Sequence, residues 1–502
     1  MRQAKGRGKK LSHLRSGHGI DLKGKPMTTI ATLPSLPEST DTELQARFTA
    51  ARPAVAERLA AGKALRQQLA RRQHGAFALP ATRQDPVAIL EAQASSRLPE
   101  LVPIRYARML TSPFAFLRGA AAVMAHDLST TATTGLMVQA CGDMHVANFG
   151  VFASAERNLV FGINDFDETQ PGPWEWDLKR LAASAVVASR FLGADRVLCE
   201  EAARACVQAY RKRMRQYASM GHLALWYTSI DEPALLDALP PEVRKRARKI
   251  TSKARQRTHL QVLDKLTDLV DAEQRIVEAR PLIVHETHTV AGRTMTEALD
   301  LFLQDYLGTL PPDRRQLLAR YQILDVARKV VGVGSVGTRC WVIFMRGVDN
   351  NDPLFLQVKE AQESVLAPYV GPSAYANHGQ RVVVGQRLIQ GAPDIFLGWA
   401  EQDGRHYYVR QLRDMKGGLE FDSGKVRVAN FPAYCMLCGW ALALAHAKSG
   451  DAALIAGYVG TSAALDESMA RFALAYADQT ERDHEALPRA ARHGRIQVAD
   501  EG

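Results

Sequence analysis

The pattern of apolar and polar residues changes character twice along the chain. From residue 27 to 194, helical spacing alternates with two short apolar runs, Leu136 to Ala140 and Asn158 to Ile163, and each run leads into a polar loop. Residues 195–325 have helical periodicity almost throughout. Because apolar residues that recur every three to four positions form one face of a helix, this segment predicts a large helical insertion.

From residue 326 onward the pattern becomes that of short β-strands. Runs of β-branched and aromatic residues predict strands, and Asp403-Gly404 is a tight-turn pair. The predicted elements are strands at Arg328 to Val333, Arg339 to Met345 and Leu354 to Lys359, a helix at Gln380 to Gln390, a hairpin of Asp394 to Trp399 with His406 to Leu412, and a helix at Phe431 to Lys448. Strands and helices that occur in separate stretches predict an α+β protein.

Composition indicates an ordinary soluble globular protein. The 502 residues are enough for two to three folding units of ~100–200 residues each. Apolar residues make up 46% and charged residues 23%, and no run of ~18 consecutive apolar residues predicts a membrane-spanning helix. Six cysteines are too few for a disulfide framework, which favours a reducing, cytoplasmic setting.

The net charge of +11 is concentrated at the N-terminus. Residues 1–26 contain eight Lys or Arg residues and one Asp, which gives +7 of the total. This tail lacks the apolar segment of a secretory signal. We expect a disordered, solubilising arm. Nucleic-acid binding, which would depend on the tail alone, is the less favoured alternative.

The loop after the first apolar run has the residues that phosphoryl transfer requires. In Gly142-Asp143-Met144-His145-Val146-Ala147-Asn148-Phe149-Gly150, an Asp and an Asn lie five residues apart. The Asp can accept the proton of an attacking hydroxyl, and the Asn side-chain carbonyl can hold a magnesium ion on the same loop. The alternative is a polar turn capped by Asp and Asn.

A second acidic loop follows the second apolar run. Asn164-Asp165-Phe166-Asp167-Glu168 contains three acids within four residues, and Asp165 lies 22 residues after Asp143. An acid at the end of a buried strand is well placed for a magnesium contact. These acids could instead be solvated, but two such loops together favour metal binding. Asp177, which begins the next predicted helix, either caps that helix or accepts backbone N–H bonds from the first loop.

The glycine-rich sequence Gly332-Val333-Gly334-Ser335-Val336-Gly337 lies between two predicted strands. A dinucleotide-binding fingerprint would need a helix after the glycines, whereas β-branched and aromatic residues follow here. A glycine turn between strands is typical of the phosphate-covering loop of kinases, and Lys359 ends a third strand, where kinases keep a phosphate-binding lysine. The alternative is an ordinary hairpin and a surface lysine.

Over about residues 75–490 these motifs resemble the bacterial domain-of-unknown-function family 2252. The residues that carry the resemblance are Pro103-Ile104-Arg105-Tyr106, Ser112-Pro113-Phe114, Arg118-Gly119, Cys141-Gly142-Asp143, Asn148-Phe149-Gly150, Asn164-Asp165-Phe166-Asp167-Glu168, Trp176-Asp177-Leu178-Lys179-Arg180-Leu181, Gln357-Val358-Lys359-Glu360-Ala361, Arg410-Gln411-Leu412-Arg413-Asp414-Met415-Lys416 and Ala445-His446-Ala447-Lys448-Ser449-Gly450-Asp451. That family is similar to the protein-kinase-like superfamily, which includes aminoglycoside and choline phosphotransferases. Their catalytic loop, G-D-x-H-x-x-N, is matched at Gly142, Asp143, His145 and Asn148.

The resemblance implies a protein-kinase-like, two-lobed fold. Since the glycine turn and Lys359 follow the catalytic loop here, whereas they precede it in kinases, the order resembles a circular permutation. The implied parts are a disordered basic tail (1–26), a helical N-terminal region with the catalytic-loop part of the large lobe (27–194), a helical insertion (195–325), a small nucleotide-binding lobe (326–427), and C-terminal helices of the large lobe (428–502).

The resemblance also implies roles for individual residues. Asp143 would be the catalytic base, and Asn148 and Asp165 would bind Mg²⁺. His145 would support the loop, although a packing histidine is an equal alternative. The glycine turn and Lys359 would bind ATP. Lys359 and Asp165 should then lie within ~10 Å of each other, since both would contact one triphosphate.

The function expected is ATP- and Mg²⁺-dependent phosphoryl transfer to a hydroxyl of an unidentified small-molecule acceptor. Two alternatives stay open: a nucleotidyl transferase that moves AMP, and a non-catalytic nucleotide-binding scaffold. The predicted helix at Gln380 to Gln390 contains no Glu, so Lys359 would pair with Glu363 or with no acid.

Overall fold

The computed structural model describes residues 45–46, 48–256, 259–270, 273–288, 292–412, 415–421 and 426–499. The predicted disordered arm, residues 1–26, lies outside the described residues. The chain is 53% helical and 16% strand, and its strands form small sheets. This composition confirms the mixed α+β class.

The helices and strands of the described residues have the following bounds. The helices are α1 (Val55–Ala64), α2 (Pro86–Ala94), α3 (Val102–Leu110), α4 (Pro113–Gly119), α5 (Ala121–Ser129), α6 (Trp174–Phe191), α7 (Arg196–Tyr217), α8 (His222–Tyr227), α9 (Glu232–Ala238), α10 (Pro241–Gln256), α11 (His259–Leu266), α12 (Met295–Gly308), α13 (Pro312–Leu318), α14 (Ala367–Val370), α15 (His378–Ile389), α16 (Phe431–Ser449), α17 (Ala452–Val459) and α18 (Ala464–Arg492). The strands are β1 (Met137–Ala140), β2 (Phe149–Ala153), β3 (Leu159–Ile163), β4 (Gln170–Pro173), β5 (Ile230–Asp231), β6 (Thr267–Val270), β7 (Glu273–Ile276), β8 (Ile283–Val284), β9 (Gln322–Lys329), β10 (Cys340–Arg346), β11 (Pro353–Ala361), β12 (Gly398–Gln402) and β13 (Arg405–Gln411).

The largest sheet is an antiparallel sheet of six strands in the order β12-β13-β11-β10-β9-β8. The glycine turn connects β9 to β10, as predicted, and Lys359 lies opposite Cys340 near the end of β11. β12 and β13 form the predicted hairpin, whose turn residues Asp403 and Gly404 both have positive φ, 51° and 68°. Both central residues of a type I′ turn need this conformation, which explains the Asp-Gly pair.

Helices cover both faces of this sheet. On one face α12 packs against the strands through Phe302 and Tyr306. On the other face, which carries Lys359, α11 packs through Val262 and Leu263. Because successive side chains of a strand point to opposite faces, β11 presents Val358 to the α12 side and Lys359 to the opposite side.

A second, mainly helical core is built on α6, α7 and α16 to α18. α16 lies closely along α7, and a Cβ at Gly439 would lie only 2.0 Å from the carbonyl oxygen of Cys206, so the contact requires glycine there. Residues 428–449 are apolar and long enough to cross a membrane by length and composition, but 61% of the most apolar window is buried within the protein. This burial is typical of a core helix.

Two small sheets carry the polar loops that the sequence singled out. β1 pairs with β4, and β2 pairs with β3, all antiparallel. Residues 141–148 connect β1 to β2, and residues 164–169 connect β3 to β4. The loops therefore emerge next to each other, at the point where the helical core meets the six-stranded sheet.

Three expectations about local structure are wrong. The segment 195–325 is not helical almost throughout: it includes β5 to β8 and the start of β9, because Ile230 pairs with Phe161 and Val284 pairs with Arg328 across the chain. The predicted strand at Arg328 to Val333 ends earlier, at Lys329, where the glycine turn begins. The predicted strand at Asp394 to Trp399 lies later in the chain, at Gly398–Gln402, because its pairing with β13 begins at Gly398 opposite Val409.

Candidate functional site

Both polar loops and the glycine turn line one small cavity, of about 110 Å³. Its walls include Asp143, His145, Asn148, Asp165, Asp167, Glu168, Gly332, Gly334 and Ser335, and also Arg97 and Arg118 from the N-terminal helical region. The structure thus brings together most of the residues that the sequence singled out. Gly337 and Lys359 lie beside the cavity and contact its lining, Gly337 at Arg97 and Lys359 at Asp167.

Asp177 fixes the backbone of the loop after β1. This carboxylate accepts hydrogen bonds from the backbone N–H groups of Cys141 (2.7 Å) and Gly142 (3.0 Å), and it contacts His446 Nε2 at 3.2 Å. Since α6 begins at Trp174, Asp177 is not a helix cap, and the bracing role is the one observed. Gly142 has a φ of 76°, and a Cβ there would lie 2.6 Å from the carbonyl oxygen of Glu168, so this position requires glycine.

Asp143 is oriented by an arginine that sequence reasoning did not single out. Arg180 donates two hydrogen bonds to Oδ1 of Asp143, one of them from Nε at 3.0 Å, and donates a third to the carbonyl oxygen of Leu117. Burial raises the pKa of Asp143, and the positive charge of Arg180 opposes this rise only in part. The second carboxylate oxygen, Oδ2, lies 3.7 Å from His145 Nε2 and lines the cavity side.

His145 is buried, and its imidazole is neutral. Burial lowers its pKa well below the usual value, and Arg118 and Arg180 lower it further. Its Nδ1 has no hydrogen-bond partner within the described part of the chain. A neutral imidazole beside Asp143 can pack against the carboxylate or share a proton with it, but it adds no charge.

Asn148 is fixed so that its side-chain oxygen is available. Its Nδ2 donates a hydrogen bond of 2.8 Å to the backbone carbonyl of Asp143, which leaves Oδ1 on the other edge of the amide. Tyr434 fastens the end of the same loop by donating to the carbonyl of Val146 at 2.8 Å. An amide oxygen held in this way is a suitable ligand for a hard cation.

Lys359 pairs with Asp167. Lys359 Nζ lies 2.5 Å from Asp167 Oδ2, and the Tyr408 hydroxyl donates to the other carboxylate oxygen. The expectation that Lys359 pairs with Glu363 or with no acid is therefore wrong. Burial opposes ionisation of Asp167, but Lys359 and Tyr408 outweigh it and lower its pKa to about 2.

Asp165 differs from its neighbour, since it has no ion pair among the described residues. Burial raises its pKa, and the nearby charge of Asp167 raises it further, against the opposing charge of Lys359. Asp165 does accept a long hydrogen bond, 3.4 Å, from the backbone N–H of Asp167. Its carboxylate is therefore the acid of this loop that remains open to a cation.

The backbone of the acidic loop, residues 164–169, is also hydrogen-bonded to α15, which packs against the six-stranded sheet. Arg381 of α15 donates hydrogen bonds to the carbonyl oxygens of Asp167, Thr169 and Gln362. Glu168 accepts from the backbone N–H of Val365 at 2.8 Å, and burial raises its pKa to about 7. The helix that lacks a glutamate thus contributes an arginine, which holds the loop through its main chain.

The glycine turn lies over the cavity and contacts both the acidic loop and the N-terminal helical region. Ser335 Oγ lies 3.3 Å from Asp167 Oδ2, and Arg97 donates to the carbonyl oxygen of Val336. A Cβ at Gly334 would lie 3.2 Å from the carbonyl of Arg118. The backbone of the turn therefore approaches the N-terminal helices closely.

Arg97 and Arg118 are the cations of the cavity that sequence reasoning missed. The Arg118 guanidinium lies 5.9 Å from the centroid of the Phe114 ring, and its Nε is buried without a hydrogen-bond partner in the described part of the chain. It lies in the field of Asp143 and Asp165. Arg97 is buried, and its Nε has no partner among those residues either. The only sequence signal was the Arg118-Gly119 pair, which does not reveal what an arginine faces.

The donor set fits Mg²⁺ better than a transition metal. Among the described residues, no group of three or more His, Cys, Asp or Glu side chains is arranged to hold a metal ion. Mg²⁺ does not need such a cluster, because it keeps several waters and binds one or two carboxylates together with substrate phosphates. Asp165 offers one such carboxylate, and Asn148 offers an amide oxygen, to the same cavity.

A comparison with known proteins agrees with the motifs. A family model for an uncharacterized protein conserved in bacteria, DUF2252, matches residues 97–490. No curated protein and no solved structure matches the chain. Since the family model covers well over half of the 502 residues, this chain belongs to the DUF2252 family.

Proposed function

We propose that this protein is an ATP- and Mg²⁺-dependent phosphotransferase with a permuted, kinase-like, two-lobed fold. The observation that carries the proposal is the shared cavity. Lys359 reaches Asp167, next to Asp165, although 359 − 165 = 194 positions separate the lysine from that acid. Two distant segments, each with residues suited to a nucleotide triphosphate, thus meet at one site.

The order of elements supports the kinase-like part of the proposal. In kinases, a glycine turn joins the first two strands of the small lobe, and a lysine on the third strand reaches the phosphates. Here the turn joins β9 to β10, Lys359 lies on β11, and α15 and the β12–β13 hairpin follow. The likeness ends at α15, which contacts the acidic loop through Arg381 and not through a glutamate.

Each polar side chain then has a task. Asp143, held by Arg180, accepts the proton of the acceptor hydroxyl through Oδ2. Its raised pKa makes it a better base near neutral pH than an exposed aspartate. Bound ATP and Mg²⁺ would supply the phosphoryl group and the charge neutralisation, with Asn148 and Asp165 as protein ligands. Arg118 faces the same space and would offset the negative charge of the transferred group.

Nucleotide binding requires the glycine turn to move. The cavity of about 110 Å³ is smaller than the ~300–1,000 Å³ typical of ligand sites. The hydrogen bonds that close it include those of Ser335 with Asp167, of Arg97 and Arg108 with the carbonyl oxygens of Val336 and Gly332, and of the Leu98 N–H with the Gly337 carbonyl. Lifting the turn would break these bonds and open the space beside the Lys359–Asp167 pair.

The test is the fate of labelled ATP. ATP labelled at the α-phosphate is incubated at high protein concentration with Mg²⁺ and with bacterial small-molecule extract as the acceptor source. Label in ADP supports phosphoryl transfer, whereas label in AMP or in an adenylylated product indicates the nucleotidyl-transferase alternative. Turnover should disappear in Asp143→Asn and persist in Asp313→Asn, a matched change at an exposed aspartate. Mg²⁺-dependent ATP binding without any turnover would favour the scaffold alternative.

A further inference from the structure

A second cavity lies on the face of the six-stranded sheet opposite to the one that carries Lys359. It has a volume of about 250 Å³ and is lined by α12 and the strands. Val358 lines it, whereas Lys359, the next residue of β11, points to the other face. The cavity approaches the candidate site at Glu360, which lines that site and pairs with Arg339 and Arg405 of this cavity.

The middle of this cavity is apolar. Ala298 and Phe302 of α12 form one wall, and Ile343 and Val358 of the sheet form the other. All four side chains are buried. A cavity of roughly 150 Å³ with such walls holds a benzene-sized molecule, so 250 Å³ leaves room for a longer apolar body.

One end of the cavity has an arginine whose donors are only partly used. Arg328 is 8% exposed, and its Nε donates to Glu286 at 2.7 Å. Trp341 Nε1 donates to the other oxygen of Glu286 at 3.2 Å. Nη2 of Arg328 lies 3.7 Å from the exposed Glu100, and Nη1 has no partner among the described residues.

The other end has a second buried donor without a partner. Nε2 of Gln402 lines the cavity and, within the described part of the chain, makes no hydrogen bond. Gln402 lies on β12 and Arg328 on β9, and three strands separate β12 from β9 in the sheet. The two donors therefore mark opposite ends of the cavity. Buried donors are normally satisfied, so both indicate a missing acceptor.

We propose that this cavity binds an elongated amphipathic carboxylate with an apolar body and a second oxygen acceptor at its far end. The carboxylate would accept from Arg328 Nη1, because charge-assisted hydrogen bonds to a guanidinium are the stronger ones. The far oxygen would accept from Gln402 Nε2. This site is independent of the proposed phosphotransferase activity.

The proposal is tested by calorimetric titration of the full chain with decanoate, its methyl ester and 10-hydroxydecanoate. We expect decanoate to bind at least tenfold more tightly than the ester, and the hydroxy acid more tightly than decanoate. Arg328→Gln should abolish the preference for the acid over the ester, and Gln402→Leu should abolish the gain from the hydroxyl. Equal binding of acid and ester to the wild type, or binding of none of the three, would overturn the proposal.

A cavity-filling variant locates the binding. Ala298→Phe should weaken decanoate binding at least tenfold, and Leu301→Phe, on the exposed side of the same helix, should leave it unchanged. Unaltered binding in a folded Ala298→Phe variant would also overturn the assignment. If that variant does not fold, the Gln402→Leu comparison decides, since Gln402 makes no hydrogen bond through Nε2 that the change could break. Saturating ATP with Mg²⁺ should not displace decanoate, because neither Arg328 nor Gln402 lines the candidate site.

Discussion

Breaking the ion pair between Lys359 and Asp167 should destabilise the protein by about 3 kcal/mol. The two charged atoms are 2.5 Å apart, and the side chains are 3% and 27% exposed. Removing one partner of a buried pair leaves a charge without compensation, at a cost of roughly 3–5 kcal/mol. Because water reaches part of the aspartate, screening favours the lower end of that range.

The pKa of Asp167 indicates a stabilisation of the same order. Burial alone would raise this pKa, but Lys359 and Tyr408 lower it from 3.8 to about 2. Such a lowering corresponds to roughly 2–3 kcal/mol for all the groups that stabilise the ionised carboxylate. Since the folded-state pKa is the lower one, this stabilisation is present above pH ~4 and is lost as the pH falls toward 2. Lys359 interacts with more than this one partner, since Asp167, Tyr408 and Asp165 together raise its pKa despite burial.

The assay is a double-mutant cycle of Lys359→Met, Asp167→Asn and the double variant, followed by urea unfolding at pH 7. Each single change should lose about 3 kcal/mol, and the double variant should lose less than their sum, by about 2 kcal/mol or more. At pH 2.5 the difference between wild type and Asp167→Asn should shrink. Additive losses, or single losses below about 1 kcal/mol, would show that the pair is not formed as described.

Three further predictions concern the loops. Asp143→Asn should keep ATP-dependent stabilisation and lose roughly 10²–10⁴-fold in turnover, since it removes the base alone; turnover near the wild-type rate would disprove that role. Burial raises the pKa of Glu168 from 4.5 to about 7, so the folded protein keeps this proton over a pH range in which the unfolded chain has lost it. Wild-type stability should therefore fall by up to roughly 3 kcal/mol as the pH rises from 4.5 to 7, and the melting temperature of Glu168→Gln should lack this fall. Asp177→Asn should destabilise the protein by about 1–3 kcal/mol, because one amide oxygen cannot accept from both Cys141 and Gly142; unchanged urea unfolding would contradict it.

The local elements that the sequence predicted well are those whose boundaries are set by turn-forming residues. The Asp403-Gly404 turn and the strand before Cys141 both have a local physical cause. Asp403 and Gly404 both have positive φ, for example, so this turn depends on those two neighbouring residues. The short strand β5 has no such signal, because it exists only where Ile230 meets β3.

The residues of the candidate site likewise fall into those that the local sequence revealed and those that depend on tertiary packing. Spacing within a loop identified Asp143, Asn148 and Asp165 as candidates, and the structure brings them to one cavity. Sequence could not tell which acid Lys359 would meet, since Asp165 and Asp167 differ only in how the loop turns. The roles of Arg118 and Arg180 were missed because tertiary packing alone decides what an arginine on a helix faces.

ATP binding with and without Mg²⁺ decides whether the cavity is a nucleotide site. The wild-type protein should be stabilised against thermal unfolding by ATP with Mg²⁺, by about 2.7 kcal/mol at a ligand concentration 100 times the dissociation constant. Asp165→Asn should abolish the part of that stabilisation that depends on Mg²⁺, and Asp313→Asn should retain it. A wild-type protein that ATP and Mg²⁺ do not stabilise would refute nucleotide binding, and a folded Asp165→Asn variant that is stabilised as well as the wild type would refute Asp165 as a Mg²⁺ ligand.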